Sequence, residues 1–419
     1  MPPFWRRTRR RIAAQAVVVL AQDTTEVDVT RPVQQVTGAG PLDGGARRGA
    51  LLHPLHAFTP DGTPLGTLQA VAWTRPDAAV SCAAQGRARR AATPIEEKES
   101  QRWVEMLRQA GREAAQWPAT QLICVADSEA DIYELLVAGT SETPRTDWIV
   151  RACYDRVLRP QDGQVPGAEH LRQQVLAQRV VFTHTLQVRG REAKVTCDKR
   201  GRRQPRASRQ ARVEVRAACV TLQPPWRPDR RLPPVTVNVI LAREIHPPAG
   251  EEPVEWLLLT SLPVDKVAQV RRVLQYYCVR WMIEVLFRVL KSGCRVEARR
   301  FEHLDRLRVC LAVYLIVAWR TLYVCRLGRS CPEISCEAVF EPAEWKSVWQ
   351  VVQQSAPPRV PPRLGPMVQL VAQLGGYVNR KRQDPPGPQT VWLGLQRMHD
   401  LALCWKRFGP ETRAVSKHV

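Results

Sequence analysis

One segment of the chain brings acidic and basic side chains together at helical spacing. Residues 276–291 read YYCVRWMIEVLFRVLK. At about 100° per residue, its four charged side chains and the second of its two tyrosines share an arc of roughly 80°, with mostly apolar residues opposite. They are Tyr277, Arg280, Glu284, Arg288 and Lys291. A solvated helix would use this face for ion pairs one turn apart. A catalytic helix would use Glu284 as a metal ligand and the cations to hold phosphate.

Two aspartates follow segments that have the pattern of buried strands. Asp23 follows a β-branched apolar run that begins at Val17, and Asp127 directly follows the apolar run 121–126. Carboxylates at strand ends can project from one edge of a sheet. Simpler interpretations remain open, because Asp23 could be a turn acid and Asp127 a helix N-cap. Asp131, one turn further on, competes with Asp127 for the same role.

These residues belong to an ordered set of motifs. The spacing Tyr277-x2-Arg280-x3-Glu284-x6-Lys291 resembles the YREK signature of insertion-sequence-4-type DDE transposases, the family that includes the transposon-five enzyme. Further stretches resemble the family in the same order along the chain, from the first-aspartate motif to the C-terminal region: 21–25 (AQDTT), 96–100 (EEKES), 125–133 (VADSEADIY), 256–261 (WLLLTS) and 374–377 (LGGY). The helix signature together with this order makes the resemblance specific.

The resemblance implies an α/β fold, with a ribonuclease H-like catalytic core that brings Asp23, Asp127 and Glu284 together as a catalytic, metal-binding triad. Cutting a phosphodiester needs a polarised phosphoryl oxygen, an activated hydroxyl and a stabilised leaving oxygen. Two divalent ions about 4 Å apart supply all three. The implied cofactor is therefore Mg²⁺, with Mn²⁺ possible and two ions expected, because hard cations prefer carboxylates, water and phosphate.

The resemblance also implies a set of DNA contacts beside the cut, near a hairpinned transposon end. They are Tyr277, Arg280, Lys291, Arg151, Trp256 and Arg288. Trp256 lies 28 residues before Glu284, as does the family's base-stacking tryptophan. A flipped base needs an aromatic face to offset its lost stacking. The alternative for Trp256 is a core tryptophan on a strand.

The elements that must position these residues change in character along the chain. Strand and helix patterns alternate at first, strands dominate after about residue 179, and helices return from about residue 264. Combined with the resemblance, this predicts four parts. They are a first part of the ribonuclease H-like core at 1–178, a β-strand insertion domain at 179–258, a second part of the core at 259–334, and a helical C-terminal dimerisation and synapsis region at 335–419.

The charge of the chain favours a polyanionic partner. Lys and Arg number 62 against 40 Asp and Glu, so the formal net charge is +22, which points first to nucleic acid. Arginine predominates and suits phosphate because its planar fork binds two oxygens, although a GC-rich genome also enriches it. The segment Lys199–Arg216 carries eight basic residues and one acid. It is either a solvated loop or a DNA-facing arm.

Cysteine usage and apolar runs bear on the compartment. The twelve cysteines form no CxxC pair, which predicts reduced, buried thiols in a cytosolic protein. The longest apolar run, Val309–Trp319, is too short to span a bilayer. At the N-terminus, a basic stretch at 6–11 before an apolar stretch at 12–20 fits a signal peptide or a basic helix followed by a buried strand. Gln15 interrupts the apolar stretch, which favours the strand.

The expected function is cut-and-paste transposition of an insertion sequence, through metal-dependent DNA strand cleavage, hairpin formation and strand transfer. The expected partners are double-stranded DNA at transposon ends and target and a second copy in a homodimer on DNA, with no membrane and a bacterial cytoplasmic, nucleoid-associated location. Only 22 residues precede Asp23, so the family's N-terminal end-recognition domain is expected to be missing. The alternatives are a truncated, non-catalytic DNA-binding remnant that inhibits a full-length transposase, and a generic basic nuclease.

Overall fold

The computed structural model describes residues 2–31, 35–43, 46–77, 93–142, 146–160, 169–188, 190, 194–195, 202–203, 207–378 and 385–410. The chain divides into two compact units. The sheet unit comprises Arg9–Pro60 and Leu68–Trp281, and the helical unit comprises Met1–Thr8, Asp61–Thr67 and Met282–Val419.

The strands follow the apolar runs of the sequence. In chain order they are β1 (Val17–Gln22), β2 (Thr25–Asp28), β3 (Gly40–Pro41), β4 (Arg48–Phe58), β5 (Pro64–Trp73), β6 (Gln121–Ala126), β7 (Thr146–Arg151), β8 (Val180–Val188), β9 (Lys194–Val195), β10 (Arg202–Arg203), β11 (Arg209–Leu222), β12 (Val235–Glu244) and β13 (Glu255–Thr260). The strands β1 and β6 are buried along almost their whole length, as their near-continuous apolar sequences predict for central parallel strands.

The α-helices are α1 (Pro2–Ala13), α2 (Gln101–Ala114), α3 (Tyr133–Ser141), α4 (Leu171–Leu176), α5 (Val267–Val279), α6 (Trp281–Arg288), α7 (Leu304–Ser330), α8 (Pro342–Gln353), α9 (Leu364–Leu374) and α10 (Pro388–Phe408). The basic N-terminal segment is thus a helix that leads into a buried strand, as the favoured interpretation predicts.

One mixed sheet forms the centre of the sheet unit. Its strands lie in the order β2-β4-β1-β6-β7-β13-β12-β11-β8, with β3 and β5 also paired to β4. Strand β1 is antiparallel to β4 and parallel to β6, and β6 is parallel to β7. Strands β13, β12, β11 and β8 continue the sheet beyond β7 in antiparallel pairs. The strands predicted as an insertion therefore extend the central sheet, while the four domain boundaries stay predictions.

Apolar side chains hold the helical unit together. Helices α7 to α10 surround a cluster whose fully buried members include Trp345, Phe340, Met367, Val371 and Val391. Helix α7 is, within the described ranges, the one helix long and apolar enough to cross a membrane by length and composition. Core helices of soluble proteins pass the same test, so it is weak evidence for a membrane span.

Two expectations differ from the structure. The described thiols are free, but only Cys124, Cys294, Cys325 and Cys336 are buried, while five others are exposed. Flanking apolar residues are therefore a poor guide to thiol burial, because a strand or helix can turn one side chain outward. The basic segment at 199–216 lies partly outside the described residues, and from Arg209 onward it is strand β11.

Candidate active site

The register of three parallel strands places site residues in a row. Ala21 of β1 lies opposite Val125 of β6, and continuing that register by two residues sets Asp23 beside Asp127. Strand β6 pairs with β7 in the same direction, which sets Arg151 on the other side of Asp127. Neighbouring strands are about 4.8 Å apart. The sheet therefore presents two carboxylates and one guanidinium side by side at one edge.

A proline explains why the first strand breaks at Asp23. Strands β1 and β2 pair with β4 in one continuous register, with Gln22 opposite Leu55 and Thr25 opposite Leu52. Pro54 therefore lies opposite Asp23. Proline has no N–H to donate to a ladder, so the pairing is interrupted there. Because of this interruption, Asp23 lies just beyond the carboxyl end of β1, and β1 is an interior strand of the sheet.

The side chain of Asp23 is 13% exposed and has one guanidinium, that of Arg280, beside it. Its Oδ1 accepts a hydrogen bond from the Thr24 N–H at 2.7 Å, and its Oδ2 lies 3.3 Å from Arg280 Nη1. Burial, and then repulsion from Asp127, raise the pKa of Asp23 to about 7, although Arg280 and the Thr24 N–H oppose the rise. The carboxylate pair can therefore accommodate further positive charge.

Asp127 also has the simpler role that its sequence suggested. Its backbone is extended, and its side chain caps the short 3₁₀ turn Ser128–Ala130 by accepting the Glu129 N–H at 2.9 Å. Capping uses one carboxylate oxygen, Oδ1, and fixes the side chain. The N-cap interpretation is therefore correct and is compatible with a second role at the strand edge.

The competing carboxylate, Asp131, has a structural role, because protein groups bind both of its oxygens. It accepts the Cys153 N–H at 2.8 Å and the Tyr154 N–H at 3.0 Å, and its other oxygen pairs with Arg156. The side chain of Asp131 is fully buried and that of Arg156 is 11% exposed. These bonds tie the segment after β7 to the segment after β6, so Asp131 is a poor candidate for a ligand.

Aromatic and basic side chains lie near the carboxylate pair. The Trp256 and Tyr277 rings meet edge to face with centroids 5.3 Å apart, and the Arg280 guanidinium lies 6.0 Å from the Tyr277 ring centre. Arg151, which is exposed, donates from Nη2 to the Glu255 carbonyl at 3.1 Å. Tyr277 is only 4% exposed, and its ring packs against that of the half-buried Trp256. Direct contact of these four side chains with DNA stays a prediction.

The segment predicted as one helix is divided. Helix α5 ends at Val279 and α6 begins at Trp281, with Glu284 half-buried in the first turn of α6. A π-helical turn, Val289–Gly293, replaces the predicted cap at 292–293 and contains Lys291, whose Nζ lies 3.8 Å from Glu297. A wider turn shifts Lys291 from the position that 100° per residue assigns it.

Burial along this segment also differs from the simple wheel. Ile283, Phe287 and Leu290 are buried although they lie outside the apolar side that the wheel assigns, and Arg288 is exposed. Glu284, Arg288 and Lys291 belong to the helical unit. That Glu284 joins the two aspartates therefore stays a prediction.

The sheet unit contains two neighbouring carboxylates whose chemistry suits a metal ion. Among the described residues, no group of three or more His, Cys, Asp or Glu side chains is arranged to hold a metal ion. The pair Asp23 and Asp127 nevertheless fits a hard divalent cation, because both donors are carboxylates and burial leaves Asp23 with an elevated pKa. A bound cation would offset both the cost of burying the charge of Asp23 and its repulsion from Asp127.

Sequence reasoning missed the residues behind Asp23. His53, on β4, is fully buried; its Nδ1 lies 2.8 Å from Thr24 Oγ1 and its Nε2 lies 3.2 Å from Gln22 Oε1. The signal was available in the sequence, since His53-Pro54-Leu55-His56 places two imidazoles and a proline inside an otherwise apolar strand.

Strand-end carboxylates flanked by arginines are suited to a metal ion and a phosphate. Two family models match the chain that carries them. The family described as Transposase DDE domain matches residues 93–319, more than half of the chain, and takes in Asp127 and Glu284. The Transposase Tn5 dimerisation domain matches residues 316–406. The chain belongs to the Tn5-like DDE transposases.

Seven chains of solved structures also match. One is the cryo-EM structure of piggyBac transposase in a synaptic complex with hairpin DNA, at 7% identity and a TM-score of 0.36. The alignment covers 96% of this chain and 56% of that one, so the chain spans little more than half of that protein's length.

Proposed function

We propose that this transposase cuts and joins DNA strands at the edge formed by Asp23 and Asp127, in cut-and-paste transposition of an insertion sequence. The observation that carries the proposal is the register that sets these two aspartates side by side at adjacent strand ends. Membership of the DDE family and the match that includes Asp127 and Glu284 support it.

The strand order supports a ribonuclease H-like core. Strands β5, β4, β1, β6 and β7 are neighbours in that order, with β1, β6 and β7 parallel and β4 antiparallel to β1. The strands of 179–258 then lie between β7 and the helix of Glu284 along the chain. We infer that this helix completes the core and that 335–419 serves dimerisation, consistent with the match at 316–406.

In this proposal Asp23, Asp127 and Glu284 would hold Mg²⁺, or Mn²⁺, as two ions. The ions would supply the polarised phosphoryl oxygen and the activated hydroxyl that phosphodiester cleavage needs. Arg280 and Arg151 flank the carboxylates and would hold phosphates of double-stranded DNA, with Lys291, Arg288 and Tyr277 as further contacts by family resemblance. Bidentate binding by arginine suits that role.

The test is Mg²⁺-dependent cleavage of DNA that carries the element's flanking repeats. Asp127→Asn should lower the cleavage rate by about 10³-fold or more, since metal ligation supplies several kcal/mol of transition-state stabilisation. Glu142→Gln is the matched control, because Glu142 is an exposed carboxylate of the same unit whose side chain pairs with Arg108. Near wild-type cleavage by Asp127→Asn would refute the proposal.

Trp256 tests the hairpin step. Stacking of a base on an aromatic ring is worth about 1–3 kcal/mol. Trp256→Ala should therefore slow hairpin formation roughly 5- to 150-fold and accumulate nicked ends. Trp256→Phe, which keeps an aromatic face against Tyr277, should recover most of the rate. Equal loss of nicking and hairpin formation with a lower melting temperature would instead make Trp256 a core residue.

A second candidate function uses binding without cutting. The dimerisation-domain match and the charge of +22 require no cleavage, so they also fit a DNA-binding remnant that pairs with a full-length transposase and inhibits it. This candidate predicts salt-sensitive DNA binding, inhibition of the full-length enzyme and no Mg²⁺-dependent cleavage.

The proposed homodimer and the proposed location have their own tests. Light scattering of the purified chain, with and without DNA, tests the homodimer. Microscopy of a tagged chain tests association with the nucleoid.

A further inference from the structure

A buried polar chain lies behind the strand end that carries Asp23. By the register between β1, β2 and β4, Thr24 is the cross-strand neighbour of His53. His53 is fully buried and packs edge to face on Trp103 of α2, with ring centroids 4.6 Å apart. Side chains alternate across a strand, so Gln22 and Thr24 share one face and Asp23 takes the other. His53 therefore contacts the strand from the side opposite Asp23.

The direction of the two hydrogen bonds follows from their partners. The carbonyl oxygen of the Gln22 side chain can only accept, so His53 Nε2–H donates to it at 3.2 Å. The other ring nitrogen, Nδ1, then accepts from the Thr24 hydroxyl at 2.8 Å. Burial, followed by the charge of Arg102, lowers the pKa of His53 to about 3, which keeps the ring neutral and this arrangement unchanged near neutral pH.

The same threonine also holds Asp23. Its backbone N–H donates to Asp23 Oδ1 at 2.7 Å, the shorter of the two contacts that the structure gives this carboxylate. The other contact, to Arg280, is 3.3 Å long, and Asp127 repels the charge. The orientation of Asp23 thus depends on Thr24, whose side chain is held by His53 on the opposite face of the strand.

We propose that His53 is a positioning residue that fixes Thr24 and, through the Thr24 N–H, sets the carboxylate of Asp23 for metal binding. This inference rests on the proposed function, because it concerns the same metal site. Groups that orient a metal ligand by hydrogen bonds change metal affinity by about 10- to 100-fold when they are removed.

The experiment measures Mn²⁺ binding to the full, metal-free chain by titration calorimetry, without DNA or catalysis. His53→Phe keeps the packing on Trp103 and loses both hydrogen bonds, and should weaken Mn²⁺ binding about tenfold. His53→Asn places an acceptor near the position of Nδ1 and should recover most of the affinity. Thr24→Val should match His53→Phe, and the double variant should be no weaker than either single one.

His56→Phe is the matched control, because His56 lies on the same strand and is equally buried. It should leave Mn²⁺ affinity unchanged. If His53→Phe fails to fold, the comparison of Thr24→Val with Thr24→Ser decides, since serine restores only the hydroxyl. Wild-type Mn²⁺ affinity in His53→Phe or Thr24→Val would overturn the positioning role of His53 and leave the proposed function intact. A wild-type chain that binds no Mn²⁺ would overturn the proposed function and this inference with it.

Discussion

Two aspartates of the sheet unit are each paired with one arginine, yet their surroundings differ. Asp131 receives two backbone N–H groups and the guanidinium of Arg156, and its side chain is fully buried. Asp23 receives one backbone N–H and a 3.3 Å contact to Arg280, and it faces the charge of Asp127. The first carboxylate has its charge balanced within the fold, and the second does not.

The difference separates a structural ion pair from a candidate site. A buried carboxylate is stable when charges and donors surround it, and an unbalanced one shifts its pKa instead. The pKa of Asp23 rises to about 7 for this reason. Perturbed carboxylates of this kind concentrate at functional sites. The unbalanced charge of Asp23 therefore destabilises the folded chain near neutral pH, whereas the balanced charge of Asp131 does not.

The largest expected effect is on the balanced pair. Asp131→Asn should lower the free energy of unfolding by about 3–5 kcal/mol, because it leaves Arg156 largely buried without its counter-charge. Urea unfolding of the full chain measures it. The control is Glu142→Gln, which breaks an exposed pair with Arg108 and should cost less than about 1 kcal/mol. A loss below 1 kcal/mol for Asp131→Asn would remove the contrast.

The sequence predicted both strand ends but not which aspartate was balanced. The apolar runs before Asp23 and Asp127 specify buried parallel strands, because local pattern determines them. The donors around Asp131 come from residues more than twenty positions away, at Cys153, Tyr154 and Arg156. Such non-local partners leave no trace in a local pattern.

The predicted catalytic helix shows a second limit of prediction from sequence. Equal steps of 100° per residue assume one regular helix, whereas the chain divides at Arg280 and widens into a π-helical turn before Cys294. Likewise, the sequence predicted that strands dominate 179–258, but the pairing of β13 with β7 depends on contacts distant along the chain. Local pattern therefore predicted where helix and strand segments lie, but it could not predict how they divide or pair.

The second largest effect on the free energy of unfolding is expected at Asp23. Its sign is opposite to that expected for Asp131→Asn. The folded pKa of about 7 exceeds the ordinary 3.8, so the stability contribution of Asp23 is present at low pH and is lost as pH rises through that range. In metal-free buffer at about pH 8, Asp23→Asn should therefore raise the free energy of unfolding, on the order of 3 kcal/mol. Near pH 4 the variant and the wild type should be alike. A destabilised variant at pH 8 would show that the charge is already balanced.

A divalent ion should remove the stability advantage that Asp23→Asn has over the wild-type chain in metal-free buffer. At a Mn²⁺ concentration 100 times its dissociation constant, binding to the folded state stabilises the wild-type chain by about 2.7 kcal/mol. Asp23→Asn should gain little, so its advantage in metal-free buffer should largely disappear. Thermal unfolding with chelator and with Mn²⁺ measures both states. Equal stabilisation of wild type and variant would place the metal elsewhere.

The smallest expected effect is the coupling of Asp23 to Arg280. Their side chains are 13% and 14% exposed and 3.3 Å apart, so the attraction is partly screened and should be worth about 1 kcal/mol. The double-mutant cycle combines Arg280→Gln with Asp23→Asn in metal-free buffer near pH 8. The same cycle at Asp131 and Arg156 should give a clearly larger coupling, because those side chains are 0% and 11% exposed and the bond is shorter. Equal couplings would mean that Arg280 already neutralises Asp23. In that case the pKa of Asp23 would lie nearer its ordinary value, and the carboxylate pair would have no need of a cation.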